Sequence, residues 1–159
     1  MKKIFRHFLL ISVVFLGACS KDDNTSEIDT EYPVIDISES THFPKQCSTV
    51  KRGETFTFRA RFSDNVELGS SSIDIHHNFD HHTHSTEIQE CVMDPIKAPV
   101  NPFQKIQNYT IPKGQRSYEI EQDISIPADV DLGDYHFMIR LTDQEGWQTI
   151  IGLSIKIVE

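Results

Sequence analysis

Five of the chain's eight histidines fall within nine residues, His76-His77-Asn78-Phe79-Asp80-His81-His82-Thr83-His84. Neutral imidazole is a common protein ligand for zinc, copper and nickel, and zinc–nitrogen bonds are about 2.0–2.1 Å long. Spacing decides which rings can share an ion. With Asn78-Phe79-Asp80 as a three-residue hairpin loop, His77 faces His81, His76 faces His82 and Asp74 faces His84. Directly opposed Cβ atoms across a hairpin are about 4.5–5.5 Å apart, close enough for two imidazoles to converge on one metal. The expected ligands to a divalent Zn or Cu ion are therefore His76 and His82, with His84, Asp74 or His136 completing the shell. His77 and His81 fall on the other face. Three plainer readings compete: a mobile, tag-like metal-binding loop, a polar contact surface for a partner protein, and a patch that gains charge as pH falls. His42 has no partner in sequence and reads as a surface or loop residue.

The elements that position these side chains are strands. Thr55 to Phe62 alternates with period two and sets Phe56, Phe58, Ala60 and Phe62 on one face. In Ile73-Asp74-Ile75-His76-His77 the isoleucines point inward, so Asp74 and His76 point to solvent. Tyr135 to Leu141 repeats the pattern, with Tyr135, Phe137, Ile139 and Leu141 inward and His136 and Met138 outward. Val34–Ile37, Ser117–Ile126 and Gln148–Val158 supply further strands, and no long helix is expected. Met93–Pro112 carries four prolines and reads as a long ordered loop or an edge. Residues 32–159 are thus expected to form one all-β sandwich of about seven strands.

Cys47 and Cys91 each stand alone, without a second cysteine or a histidine at chelating spacing, and a disulfide between them is expected in an oxidising compartment. Residues 20–31 are polar, acidic and without apolar periodicity, the composition of a flexible stalk. Before them, Lys2, Lys3 and Arg6 lead into an apolar run from Phe8 to Leu16, which reads as a signal peptide over residues 1–18 and is too short for a spanning helix.

Leu16-Gly17-Ala18-Cys19 resembles the lipobox of bacterial lipoproteins, which implies cleavage before Cys19 and acylation of its thiol by a palmitate-type chain. Ser20-Lys21-Asp22-Asp23-Asn24 resembles the acidic export signal of Bacteroidota lipoproteins. It implies a lipid-anchored protein on the outer face of the outer membrane, with periplasmic retention as the alternative. Ser63-Asp64-Asn65-Val66-Glu67-Leu68-Gly69-Ser70, and the run Gly133-Asp134-Tyr135-His136-Phe137 through Asp143-Gln144-Glu145-Gly146, resemble turns and a strand of bacterial immunoglobulin-like domains. The resemblance implies an immunoglobulin-like fold with Tyr135 at a tyrosine corner and the strand of His136 beside that of His76. The whole chain also resembles an uncharacterised family of Bacteroidota surface lipoproteins, which implies no function.

Composition bounds the partners. The chain has a formal net charge of −9, and loss of residues 1–18 would remove three further positive charges. Nucleic acid and anionic lipid surfaces are excluded as main partners, so membrane contact is expected through the lipid anchor only. An enzyme is not expected, since the chain has no Gly-x-Ser-x-Gly elbow, phosphate loop or His-Glu-x-x-His helix, and Cys91-Val92-Met93 lacks the histidine of a blue-copper site. The expected function is a non-catalytic binding module for a divalent transition metal. The alternative is an adhesion or accessory domain for a protein or glycan, with the histidines incidental, for which Trp147 is the candidate exposed aromatic, packing of that ring over the sandwich edge being the equal alternative.

Overall fold

A computed structural model describes residues 28–84 and 91–159. Their strands are β1 (Val34–Asp36), β2 (Ser48–Lys51), β3 (Thr55–Ser63), β4 (Leu68–His77), β5 (Lys105–Thr110), β6 (Ser117–Ser125), β7 (Gly133–Asp143) and β8 (Gln148–Val158). They form two sheets, one ordered β1-β3-β6 and the other β2-β8-β7-β4-β5. Every pairing is antiparallel except that of β2 with β8. No described residue is helical. This is an immunoglobulin-like sandwich, with β4, the strand of His76, beside β7, the penultimate strand and that of His136, as expected. Two strands escaped the alternation pattern. β2 is only four residues long, and β5 lies within the proline-rich segment, at the sheet edge where prolines are tolerated.

The core follows from the period-two pattern. Phe58, Ala60 and Phe62 of β3, Ile73 and Ile75 of β4, and Tyr135, Phe137, Ile139 and Leu141 of β7 are all buried between the sheets. Phe56 is half-buried at the rim, against Phe43 and Phe137. The Tyr135 hydroxyl donates to the carbonyl of Asp131 at 2.7 Å and accepts from the Phe103 amide at 3.1 Å, closing a tyrosine corner. On the solvent face of β3 and β6, Arg59 pairs with Glu121 and Arg61 with Glu119.

A register shift between Leu68 and Ser70 on β4 marks a bulge against β7. Gly69 sits in it, and a Cβ there would lie 2.4 Å from the Asp143 carbonyl oxygen, so only glycine fits. Cys47 and Cys91 are disulfide-bonded, with Cα atoms 5.5 Å apart. The bridge ties the residue before β2 to the segment that follows the histidines.

Two sequence expectations need correction, and one alternative is decided. His42 lies in a loop, as expected, but is buried there, and its Nε2 lies 3.0 Å from Glu119 Oε1. Order does not wait for Tyr32, because Asp29, at the end of the expected stalk, is buried. Its side chain accepts from Asn65, and its carbonyl from the Trp147 indole. Trp147 also packs on Tyr32, with ring centroids 5.0 Å apart, so it closes the sandwich edge instead of projecting from it. Residues 1–18 and Cys19 lie outside the described residues.

Candidate metal centre

β4 and β7 place the first two histidines by register alone. His76 is directly opposite His136, and alternation turns both away from the core. β4 has β7 on one side and β5 on the other. β5 pairs with β4 from Ser70 to Ile75, with Ile106 opposite Asp74 where His84 was expected, residues 81–84 are not strand, and the expected hairpin does not form.

The segment leaves the sheet and folds back over it. The Asn78 amide bonds the Asp134 carbonyl at 2.8 Å. Phe79, expected in the hairpin loop, is buried, edge-on to Tyr135 at 5.2 Å and beneath the Lys97 ammonium at 4.3 Å. Gly133, at φ +124°, leaves room for that ring, since a Cβ would lie 3.2 Å from it. His81 adopts φ 57°, turning the chain, and its Nε2 reaches the Asp94 carbonyl at 2.9 Å. Phe79 thus anchors the loop in the core, and the reversal at His81 lays His82 and His84 over β4 and β7.

Four rings meet as a result. The His76 and His82 rings stack with centroids 5.6 Å apart, and His84 lies 5.3 Å from His76 and 4.5 Å from His136. One ring nitrogen from each of His76, His82, His84 and His136 lies within 4.8 Å of the other three. His76 Nε2 and His84 Nε2 are 3.2 Å apart. Tetrahedral zinc with bonds of about 2.05 Å sets neighbouring nitrogens about 3.3 Å apart, so this pair already spans one edge of such a site.

Carboxylates fix two of the tautomers. Asp74 Oδ1 accepts from His76 Nδ1 at 3.0 Å, and Asp80 Oδ1 from His82 Nδ1 at 2.6 Å. Each ring therefore presents a lone pair at Nε2, the carboxylate–histidine arrangement typical of metal sites. The bond from His82 holds the Asp80 carboxyl below its ordinary range. Asp74, expected as a ligand, sits behind His76 and is also 3.5 Å from the Arg140 guanidinium; it orients the His76 ring and stays outside the cluster. The role of Asp80 was not anticipated, though its position two residues before His82 was the available signal.

His136 was expected at the surface and is completely buried under the returning loop. Burial, with the three neighbouring histidines adding to it, pushes its pKa down to about 4, against the opposing effect of a 3.1 Å bond to the His82 carbonyl. Its ring is accordingly neutral at pH 7, the form a metal requires. His77 lies against Phe79, centroids 4.9 Å apart, and like His81 stands outside the cluster.

No curated protein matches the chain. Among solved structures it is similar to a GspB Siglec domain, at 20% identity and a TM-score of 0.42, over 82% of this chain and 59% of that one. It is also similar to Spo0M, a sporulation control protein from Bacillus subtilis, at 9% identity and a TM-score of 0.43, over 80% of this chain and 49% of that one. The chain thus spans between half and three fifths of the length of these structures, and likenesses so distant carry no functional argument. A family model described as a domain of unknown function (DUF4625) matches residues 17–158, nearly the whole chain, and the chain belongs to that family.

Proposed function

We propose that this domain is a lipid-anchored cell-envelope module that binds a divalent transition metal, Zn²⁺ or Cu²⁺, through His76, His82, His84 and His136. One observation carries the reading: four imidazoles from two adjacent strands and one returning loop bring ring nitrogens within 4.8 Å of one another. A tag-like cluster would have no reason to orient two of its rings by carboxylates and bury a third as the neutral base. The donor set is all nitrogen, which suits zinc, copper or nickel and disfavours calcium or magnesium. Anchoring is proposed through lipid on Cys19, and the role is binding, not catalysis.

The test is metal analysis of the purified chain, followed by calorimetric titration with Zn²⁺ and Cu²⁺. The expected result is one ion per chain, with His76→Ala, His82→Ala, His84→Ala and His136→Ala each weakening binding sharply while His77→Ala and His81→Ala, which remove no ligand, weaken it far less. Equal, gradual losses at all positions, or affinity no better than that of a histidine tag, would overturn the metal reading. A second reading then takes its place, docking of a protein or glycan partner. It is favoured by Val92, Ile96 and Val100, three apolar side chains left largely exposed on the loop after the disulfide.

A further inference from the structure

At the other end of the β4–β7 pair, a second group of acids gathers. Asp29 precedes β1, Asp143 ends β7 and Glu145 lies in the turn before β8; one carboxylate oxygen of each lies within 4.8 Å of the other two. Asp29 and Asp143 are only 6% and 4% exposed, whereas Glu145 is open to solvent.

Each buried acid spends one oxygen on the fold. Asp29 Oδ1 accepts from the Asn65 amide at 2.8 Å and the Glu31 backbone at 3.0 Å. Asp143 Oδ1 accepts from the backbone amides of Gly146 at 2.6 Å and Trp147 at 2.7 Å. The second oxygens, Asp29 Oδ2 and Asp143 Oδ2, are buried and have no hydrogen-bond partner among the described residues. No described lysine or arginine forms an ion pair with any of the three acids. Burying a carboxylate oxygen without a partner is costly, and placing a second carboxylate beside it adds repulsion. A cation removes both costs.

We propose that Asp29, Asp143 and Glu145 form a Ca²⁺ site, distinct from the histidines, that fastens the N-terminal segment to the turn between β7 and β8. All donors are hard oxygens, and Ca²⁺ accepts irregular geometry with waters filling its shell of six to eight ligands, where Mg²⁺ demands a near-ideal octahedron. The bound ion bridges a residue that leads into β1 and a residue that ends β7. It thereby stiffens the point at which residues 1–28 join the sandwich.

Trp147 is the single tryptophan of the chain. Its indole donates to the Asp29 carbonyl at 2.9 Å and its backbone amide to Asp143, so its fluorescence reports on this site. The full chain in mild detergent, stripped with chelator, would be titrated with Ca²⁺ at fixed ionic strength, with equilibrium dialysis against radioactive calcium in parallel. The expected result is one ion bound with a Kd of roughly 10⁻⁴ to 10⁻³ M, the range of extracellular calcium modules, and a saturable change in Trp147 emission. Glu145→Gln, at an exposed position, should raise the Kd at least about ten-fold while leaving thermal unfolding in chelator unchanged. Asp143→Asn, whose amide oxygen can still accept from Gly146 and Trp147, should do the same. His76→Ala should titrate as wild type, since the seven residue steps along β7 from His136 to Asp143 separate the two sites by about 23 Å. No bound calcium, or Glu145→Gln and Asp143→Asn binding like wild type, would overturn the proposal.

Discussion

At the scale of the residue, the four clustered histidines differ in how they are held, and the difference is measurable. His76 and His82 each lean on a carboxylate. Losing such a partner typically lowers metal affinity 10–100-fold without removing a ligand. Asp74→Asn and Asp80→Asn should therefore weaken Zn²⁺ binding in calorimetry by about that factor, less than loss of the imidazole itself. His136 predicts a pH dependence of the metal-free fold. Its pKa falls from an ordinary 6.5 to about 4 on folding, so between those values the unfolded chain binds more protons and stability rises with pH. The contribution is fully present above about pH 6.5, fades as pH falls, and is exhausted below about pH 4. Its size is of the order of 3 kcal/mol. Urea titrations across that window should show the loss in wild type and a flatter profile in His136→Gln. Asp80 and Asp131, whose carboxyls hydrogen bonds hold below their usual range, lose their contributions at lower pH and do not mask it.

At the scale of the element, the strands and the loop differ in what the sequence reveals. Alternation in β3, β4 and β7 was sufficient to assign the core and to turn His76 and His136 outward, because burial on one face writes a period of two into the chain. The conformation of residues 78–84 was not recoverable in that way. It depends on β5, a strand nearly thirty residues further on, occupying the edge of β4 that a hairpin would need, and on Phe79 finding space beside Tyr135. Contacts so remote leave no local periodicity. Phe79→Ala should consequently act twice, costing about 3–5 kcal/mol as a buried aromatic and weakening Zn²⁺ binding because His82 and His84 lose their anchor. Cys47 and Cys91 restrain the far end of the same segment, at a sequence separation of 44. Loop-closure entropy assigns such a bridge about 4 kcal/mol. The paired Cys47→Ser, Cys91→Ser variant should unfold at correspondingly lower denaturant, and wild-type stability would show the bridge to be dispensable.

At the scale of the whole molecule, charge and attachment belong together. Without residues 1–18 the chain carries 12 basic and 24 acidic side chains, and a surface of that balance is repelled by anionic lipid. The domain has no electrostatic means of staying at a membrane, and no helix of the described residues is long and apolar enough to cross one. In the proposed reading, retention at the envelope rests on the lipid on Cys19. Each buried methylene contributes about 0.8 kcal/mol, so two or more acyl chains hold a protein where a single chain binds only reversibly. The polar segment from Ser20 onward would then set the sandwich away from the bilayer. Metabolic labelling with palmitate in a bacterial host should mark the wild-type chain and leave Cys19→Ala unlabelled. The same variant should move from the membrane fraction to the soluble fraction while keeping the wild-type circular dichroism spectrum and the wild-type Zn²⁺ titration. Label persisting in Cys19→Ala would remove the anchor from the proposal. Because His76, His82, His84 and His136 are held by β4, β7 and the loop that Phe79 fixes, that outcome would leave the metal site standing.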